Sequence, residues 1–450
     1  VRSHTFETAF LEYGAMQNLV RSTGRSVWYL NDPIEDNPNH DWEDYRTNWE
    51  STLTASLLQP EVYKFETMPW PERIFRGYYP VETGRNAMHF GISLEYQTEL
   101  QAVIHALGHM KQPASGVHWD RRGTAGVGVL VSDTLMFQRA GPEASDPELG
   151  HFFGLALPLI DRGVPVEAVQ LEDAGMPGFL SNYRMLLLSY DGQKPPRPEL
   201  HTALADWVKA GGTLIVVDDD RDPFNKVREW WNTGEFHDAT PRLDLFRRLG
   251  LPAAPDGPQR VGKGIVLYDA ESPAELSHEH GGADKVRGLC ATAAKAAGID
   301  WEESPALVLH RGPYIVAAVL PSASEPIELS GRFIPLFDPA LPVVNHFVLR
   351  PNHRALLVDL DRLEDERPCV ASASGRVVDE RREGGNLYFA VRGIGNTRCV
   401  VQVACAGKPS SVTVGGKTVN EGDWSFGDGV LRLQFENAID PVPVEIKFPG

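Results

Sequence analysis

The chain has 450 residues, of which 42% are hydrophobic, 23% charged and 9% aromatic. At roughly 150 residues per domain this suggests about three domains, and the composition excludes disordered, collagen-like and coiled-coil classes. With 43 Lys+Arg against 61 Asp+Glu the net charge is −18, so no nucleic-acid partner is expected. No apolar run approaches the ~18 residues of a membrane-spanning helix, so no membrane partner is expected either. Four cysteines, at 290, 369, 399 and 405, lack CxxC or zinc-like spacing. They read as buried thiols in a reducing, cytoplasmic setting. The first residue is Val and no signal peptide precedes it, which suggests that the true N-terminus has been removed.

In chain order, Phe6, Phe10, Tyr13 and Val20 lie at helical spacing, and Gly24 stops that helix. Val27-Trp28-Tyr29-Leu30 reads as a buried strand leading into Asn31-Asp32-Pro33-Ile34-Glu35-Asp36. A second helix carries Trp49, Leu53 and Leu57. Val62-Tyr63-Lys64-Phe65 is a second strand, running into Glu66 and Pro69-Trp70-Pro71. A third helix carries Leu100, Val103, Ile104 and Leu107. This (βα) rhythm puts polar and aromatic loops at the carboxyl ends of strands, where barrels and open α/β sheets hold their sites. Two strands and three helices cannot cover their own apolar faces, so the segment reads as part of a larger barrel whose missing half comes from elsewhere.

From Gly126 the pattern restarts. Strands are predicted at Val127–Val131, Val166–Leu171, Met185–Leu188, Thr213–Val217 and Ile265–Tyr268. Helices are predicted at Leu149–Ile160, Leu200–Val208 and Val286–Ala297, with a tryptophan-bearing insertion over 221–250 around Trp230-Trp231. Alternating β and α predict a parallel, flavodoxin-like open sheet. After about residue 305 the helices stop. Short strands such as Tyr314–Leu320, Leu387–Val391 and Leu431–Phe435, with turns at Gly384-Gly385 and Gly415-Gly416, predict one or two β-sandwich modules. The fold class is thus α/β plus β, divided at 1–122, 123–304, 305–368 and 369–450.

Glu66 is the sharpest chemical candidate, since a carboxylate at the carboxyl end of a barrel strand faces the barrel mouth. Trp70 offers a sugar ring an apolar platform. Retaining glycoside hydrolysis needs two carboxylates about 5 Å apart. Asp32 and Glu35, beside Trp28 and Asn31, read as contacts to sugar hydroxyls or, in the bland alternative, as an ordinary polar turn. Asp218-Asp219-Asp220 with Asp222 reads as a solvated loop more readily than as a Mg²⁺ or Ca²⁺ site. His105 and His109 lie four apart, but Ala106 follows His105, so the metalloprotease signature is absent and a plain helix surface is expected. No metal or other cofactor is expected.

The open-sheet portion resembles a class I glutamine-amidotransferase fold. The strand that would bear the amidase cysteine ends in Leu188-Ser189-Tyr190-Asp191-Gly192, so amidase chemistry is not expected. With Tyr63-Lys64-Phe65-Glu66 and Pro69-Trp70 ahead of it and β-modules behind it, the order of parts resembles the family 42 β-galactosidases. That resemblance implies a catalytic (β/α)8 barrel, a nucleophilic glutamate after strand seven at Glu66, and a homo-oligomer of trimeric type. It also implies an oligosaccharide or glycoside substrate, with Trp28, Asn31, Asp32, Glu35 and Trp70 shaping the sugar subsite. The family's acid/base glutamate follows strand four and is usually preceded by Asn. The one Asn-Glu here, Asn420-Glu421, lies in the terminal β-module and does not match it. Strands one to five are therefore expected from the same precursor or a partner chain.

Two rival readings follow from the same residues. One is a non-catalytic carbohydrate-binding or assembly protein. The other places chemistry in the open-sheet unit around Asp191 and Asp218.

Overall fold

The computed structural model describes residues 5–31, 42–67, 78–79, 90–91, 93–120, 123–135 and 149–449. Helix α1 (Thr5–Arg21) turns Phe6 and Phe10 inward, and α2 (Trp42–Leu57) buries Trp49, Leu53 and Leu57, as the helical spacing predicts; Leu11 of α1 is buried as well. Helix α3 (Leu94–Leu107) starts where Ser93 Oγ accepts the Tyr96 amide at 3.1 Å. Strands β1 (Tyr29–Asn31) and β2 (Phe65–Thr67) pair in parallel, and β3 (Tyr78–Tyr79) pairs antiparallel with β4 (Phe90–Gly91). The first strand is shorter than the sequence suggests and is not buried throughout. Trp28 and Leu30 are 62% and 52% exposed because the helices cover only the face bearing Tyr29 and Asn31. Among the described residues, no helix is long and apolar enough to cross a membrane.

Strand β5 (Val117–Trp119) precedes the parallel unit, which begins with β6 (Val127–Val131) and α4 (Gly150–Ile160). It continues through β7 (Glu167–Gln170), β8 (Met185–Leu188), α5 (Glu199–Ala210) and β9 (Thr213–Val217). The short α6 (Trp230–Thr233), α7 (Pro241–Leu249), β10 (Gln259–Val261), β11 (Gly264–Asp269), α8 (Pro273–His278) and α9 (Gly282–Ala297) complete it. The strand order is β10-β11-β9-β8-β6-β7, parallel except for β10. Residue parity explains why the strands read as unbroken apolar runs. Val127, Val129, Met185, Leu187, Ile215 and Val217 join the core under α4 and α9, whereas Leu186, Leu188, Leu214 and Val216 join the one under α5 and α7. Both faces are covered, so neither can be polar. The stretch 221–250 is only partly an insertion. Thr240 caps and Pro241 opens α7, which buries Leu245, Phe246 and Leu249 against the sheet.

The next strands, β12 (Ala306–Arg311), β13 (Tyr314–Val319), β14 (Ile327–Pro335), β15 (Val344–Leu349) and β16 (Arg354–Asp359), form one antiparallel layer. Its order is β15-β14-β16-β13-β12-β5, so the layer recruits β5 from far upstream. Leu307, Leu309, Val316 and Leu356 face the large core, and Val308, Ala317, Ile327 and Leu357 form a second cluster on the other side. The terminal region pairs a sheet of β17 (Cys369–Ala373), β20 (Arg398–Ala404), β24 (Val430–Glu436) and β23 (Trp424–Gly427) with a second sheet. That second sheet holds β18 (Arg376–Glu383), β19 (Asn386–Arg392), β25 (Val442–Lys447), β21 (Ser411–Val414) and β22 (Lys417–Thr418). Leu387, Phe389, Val401, Val403, Leu431, Leu433 and Ile446, drawn from both sheets, make their shared core. All four cysteines are free and buried, and burial pushes the Cys369 and Cys399 thiols up to about 12.

Candidate active site

The β1–β2 pair aligns Tyr29 with Phe65, Leu30 with Glu66 and Asn31 with Thr67. Because side chains alternate along a strand, Leu30 and Glu66 share the face turned away from the helices, and both are exposed. The opposite face is anchored. Tyr29 packs on Tyr13 and Phe65, with ring centroids at 4.6 and 6.0 Å, and its hydroxyl donates to the Tyr13 carbonyl at 2.5 Å. Asn31 is 1% exposed and its Oδ1 accepts from the Tyr13 hydroxyl at 3.4 Å. Asn31 therefore points into the helix layer, whereas the sequence reading placed it among sugar contacts. Trp28 stands exposed, with Lys64 Nζ 5.2 Å from its ring centroid. Asp32, Glu35 and Trp70 lie outside the described residues.

A residue missed by the sequence reading sets the position of β2. Arg311, at the end of β12 and 1% exposed, sends its guanidinium to the carbonyls of Leu57 (2.7 Å), Gln59 (3.3 Å) and Val62. These are the acceptors left over at the end of α2 and in the turn that leads to β2. Burial pulls the guanidinium down to about 10, and the nearby Tyr29 opposes that shift. The signal was an arginine two residues past the apolar run Ala306-Leu307-Val308-Leu309, in alternation with Leu307 and Leu309, where a charge needs a buried partner.

The carboxylates of the parallel unit are already engaged. Asp218 accepts the amides of Tyr190 (2.7 Å) and Asp220 (2.8 Å), and Asp222 accepts Gly192 N (2.7 Å) and Lys194 Nζ (2.8 Å). Asp219 pairs with Arg221, and Asp220 with Arg242. Asp218 and Asp222 are buried, which corrects the expected solvated loop: they staple the ends of β8 and β9 together. Burial lifts Asp218 to about 7. Asp191 holds Ser272 Oγ at 2.5 Å and His151 Nδ1 at 3.2 Å, and these partners keep it below the usual carboxylate range although burial acts the other way. Ser189 Oγ accepts the Asp191 amide at 3.1 Å. For the two histidines the expectation fails at His105, on α3, while His109, just past its end, is exposed. His105 is buried rather than on a helix surface, and burial lowers it to about 3 beside the His109 ring at 4.6 Å. Among the described residues, no group of three or more His, Cys, Asp or Glu side chains is placed to hold a metal ion.

No protein-family model and no curated protein matches the sequence. Among solved structures, the β-galactosidase from Bacillus circulans sp. alkalophilus is 13% identical. The match covers 79% of this chain and 58% of that one, with a TM-score of 0.44. The exo-carrageenase GH42 from Bacteroides ovatus is 10% identical, with 98% and 44% covered and a TM-score of 0.32. A rhamnosidase from Novosphingobium sp. PP1Y is 12% identical, with 89% and 42% covered and a TM-score of 0.35. The chain thus spans little more than half the length of the first of these proteins, and less of the other two.

Proposed function

We propose that the chain is part of a retaining glycoside hydrolase acting on β-linked oligosaccharides or glycosides, with Glu66 as its nucleophile. In this reading residues 1–122 are the carboxyl-terminal part of a (β/α)8 barrel, with β1 and β2 as its sixth and seventh strands. Residues 123–304 form an amidotransferase-like unit without amidase chemistry. Residues 305–368 are a β-module, and residues 369–450 a β-sandwich. The observation that carries the reading is the register of the parallel pair. It sets Glu66 beside Leu30 on the strand face opposite the helices, which in a barrel is the inward face. The exposure of Leu30 and Trp28 fits the same view, since apolar side chains on that face gain most when further strands cover them. The sugar chemistry rests on the resemblance of the order of parts to family 42 β-galactosidases.

Glu66 attacks the anomeric carbon and forms a glycosyl-enzyme ester, while the acid/base comes from the portion that completes the barrel, on the same precursor or a partner chain. Trp28 borders the sugar subsite, and Asp32, Glu35 and Trp70 are assigned to it from the sequence alone. The homo-oligomer, of trimeric type, also comes from the resemblance.

The test uses the complete barrel, the chain together with the polypeptide that completes it, and a panel of 2-fluoro aryl glycosides. Peptide mass spectrometry should find the sugar esterified to Glu66. Glu66→Gln should abolish labelling and lower aryl glycoside turnover by about a thousandfold or more. Unchanged turnover in Glu66→Gln would remove the assignment. Saccharide binding without turnover in the complete barrel would leave the non-catalytic carbohydrate-binding reading in its place.

A further inference from the structure

The Trp230-Trp231 pair takes no part in the Glu66 reading. It lines a cavity of ≈ 330 Å³ on the parallel unit, together with Phe236, Asp238, Asp244 and Arg247 among others. That volume sits at the lower end of the range of small-molecule sites, about 300–1,000 Å³.

The wall is held by hydrogen bonds and ring contacts. Trp230 Nε1 donates to the Pro195 carbonyl at 2.9 Å. Its ring meets His201 edge-on at 5.0 Å and Trp231 at 5.6 Å. His201 is itself fixed, bonded to the Tyr190 hydroxyl at 2.5 Å and to Asp244 Oδ2 at 2.8 Å. Phe236, by contrast, is 58% exposed, and the Arg247 guanidinium lies 3.7 Å from its ring centroid.

The charges in the cavity select the kind of guest. Arg247 is paired with both Asp238 (3.0 Å) and Asp244, and Arg248 with Asp244 at 2.6 Å. An anionic ligand would compete with carboxylates already in place. A purely apolar ligand would strip water from these ion pairs without returning hydrogen bonds. Trp231, which also lines the cavity, is 2% exposed.

We propose that this cavity binds a neutral pyranose ring, at a site separate from Glu66. The C–H face of the sugar packs on the Trp230 and Phe236 rings, and its hydroxyls bond to the rim carboxylates and guanidinium groups. The inference does not depend on Glu66 being a nucleophile.

The test titrates the full chain with methyl β-glucopyranoside and methyl β-galactopyranoside, read by saturation-transfer NMR and tryptophan fluorescence. Glucose 6-phosphate and cyclohexanol are the anionic and apolar controls. Saturable binding of at least one pyranoside is expected, in preference to both controls. Phe236→Ala, at an exposed position, should weaken it by up to about tenfold. Trp230→Ala, with its fold checked by circular dichroism, should abolish it, and Glu66→Gln should leave it unchanged. The proposal is overturned if no pyranoside binds, if cyclohexanol or glucose 6-phosphate binds as well as the pyranosides, or if binding is lost in Glu66→Gln and retained in both aromatic variants. The last result would move the sugar to the Glu66 face and leave the hydrolase reading intact.

Discussion

Arg311 and Asp218 show how single buried charges organise this molecule. Arg311 joins β12 to the end of α2 through three carbonyls, so a residue 245 positions downstream of Glu66 governs where Glu66 stands. Asp218 links two strand ends through backbone amides, and burial raises it from an ordinary carboxyl value to about 7. The folded state therefore binds a proton more tightly than the unfolded chain. Its contribution to stability is full below about pH 4 and declines as pH rises toward 7. Asp218→Asn, which stays neutral and keeps one acceptor oxygen, should flatten that decline. Thermal melts of the two proteins at pH 5 and pH 7 check this, and an equal drop in both would contradict it. Glu66 was legible as a candidate because a carboxylate after an apolar strand is a local pattern. The partners of Asp218 were not, since Tyr190 lies 28 positions away and only the parallel pairing of β8 with β9 brings the two together.

At the scale of elements, α1 acts as the cover of an open sheet edge. Strand β7 is the last of its sheet, and its Gln170 amide is satisfied by Asn18 Oδ1 of α1 at 2.8 Å. Asn18 Nδ2 also donates to the Tyr183 hydroxyl at 2.6 Å, and Arg21 pairs with Glu167 of the same strand at 2.9 Å. Asn18→Ala should lower stability by about 1–3 kcal/mol, because it leaves buried partners unpaired. The amide of Gln170 should then exchange with solvent faster than the amides of the neighbouring β6, as hydrogen-exchange NMR or mass spectrometry would show. Periodicity located α1 and placed Phe6 and Phe10 on its buried face, but Met16 and Leu19, at the same spacing, are exposed, and Leu11 is buried instead. Periodicity was silent about Asn18, which reads in sequence as one more polar residue on a helix. β5 and β10 escaped notice for a related reason: three-residue strands carry too few side chains for alternation to register.

Across the whole molecule, the three N-terminal helices each dock on a different unit. α1 packs on the edge of the parallel sheet and α2 on the six-stranded layer. α3 packs on the terminal sheets, where Gln101 bonds Thr397 at 3.0 Å and the Ile394 amide at 3.2 Å. One continuous core runs through α1, α2, α3, the parallel sheet and one face of the six-stranded layer. These parts should consequently melt together in a single calorimetric transition, whereas separate transitions for the helices and the parallel sheet would show that the shared core does not couple them. The sequence leads one to expect outside cover for two strands and three helices. The rest of the chain covers the helices, while the face bearing Leu30 and Glu66 stays open. By itself the sequence determined the alternation of α and β and the change to strands near residue 305, and it offered Glu66 as a candidate, because each is written in local periodicity and residue type. Only the tertiary structure decided that Arg311 holds the β2 turn and that Asn31 faces the helix layer. Those facts depend on contacts between distant segments, and such contacts leave no periodic trace in the chain.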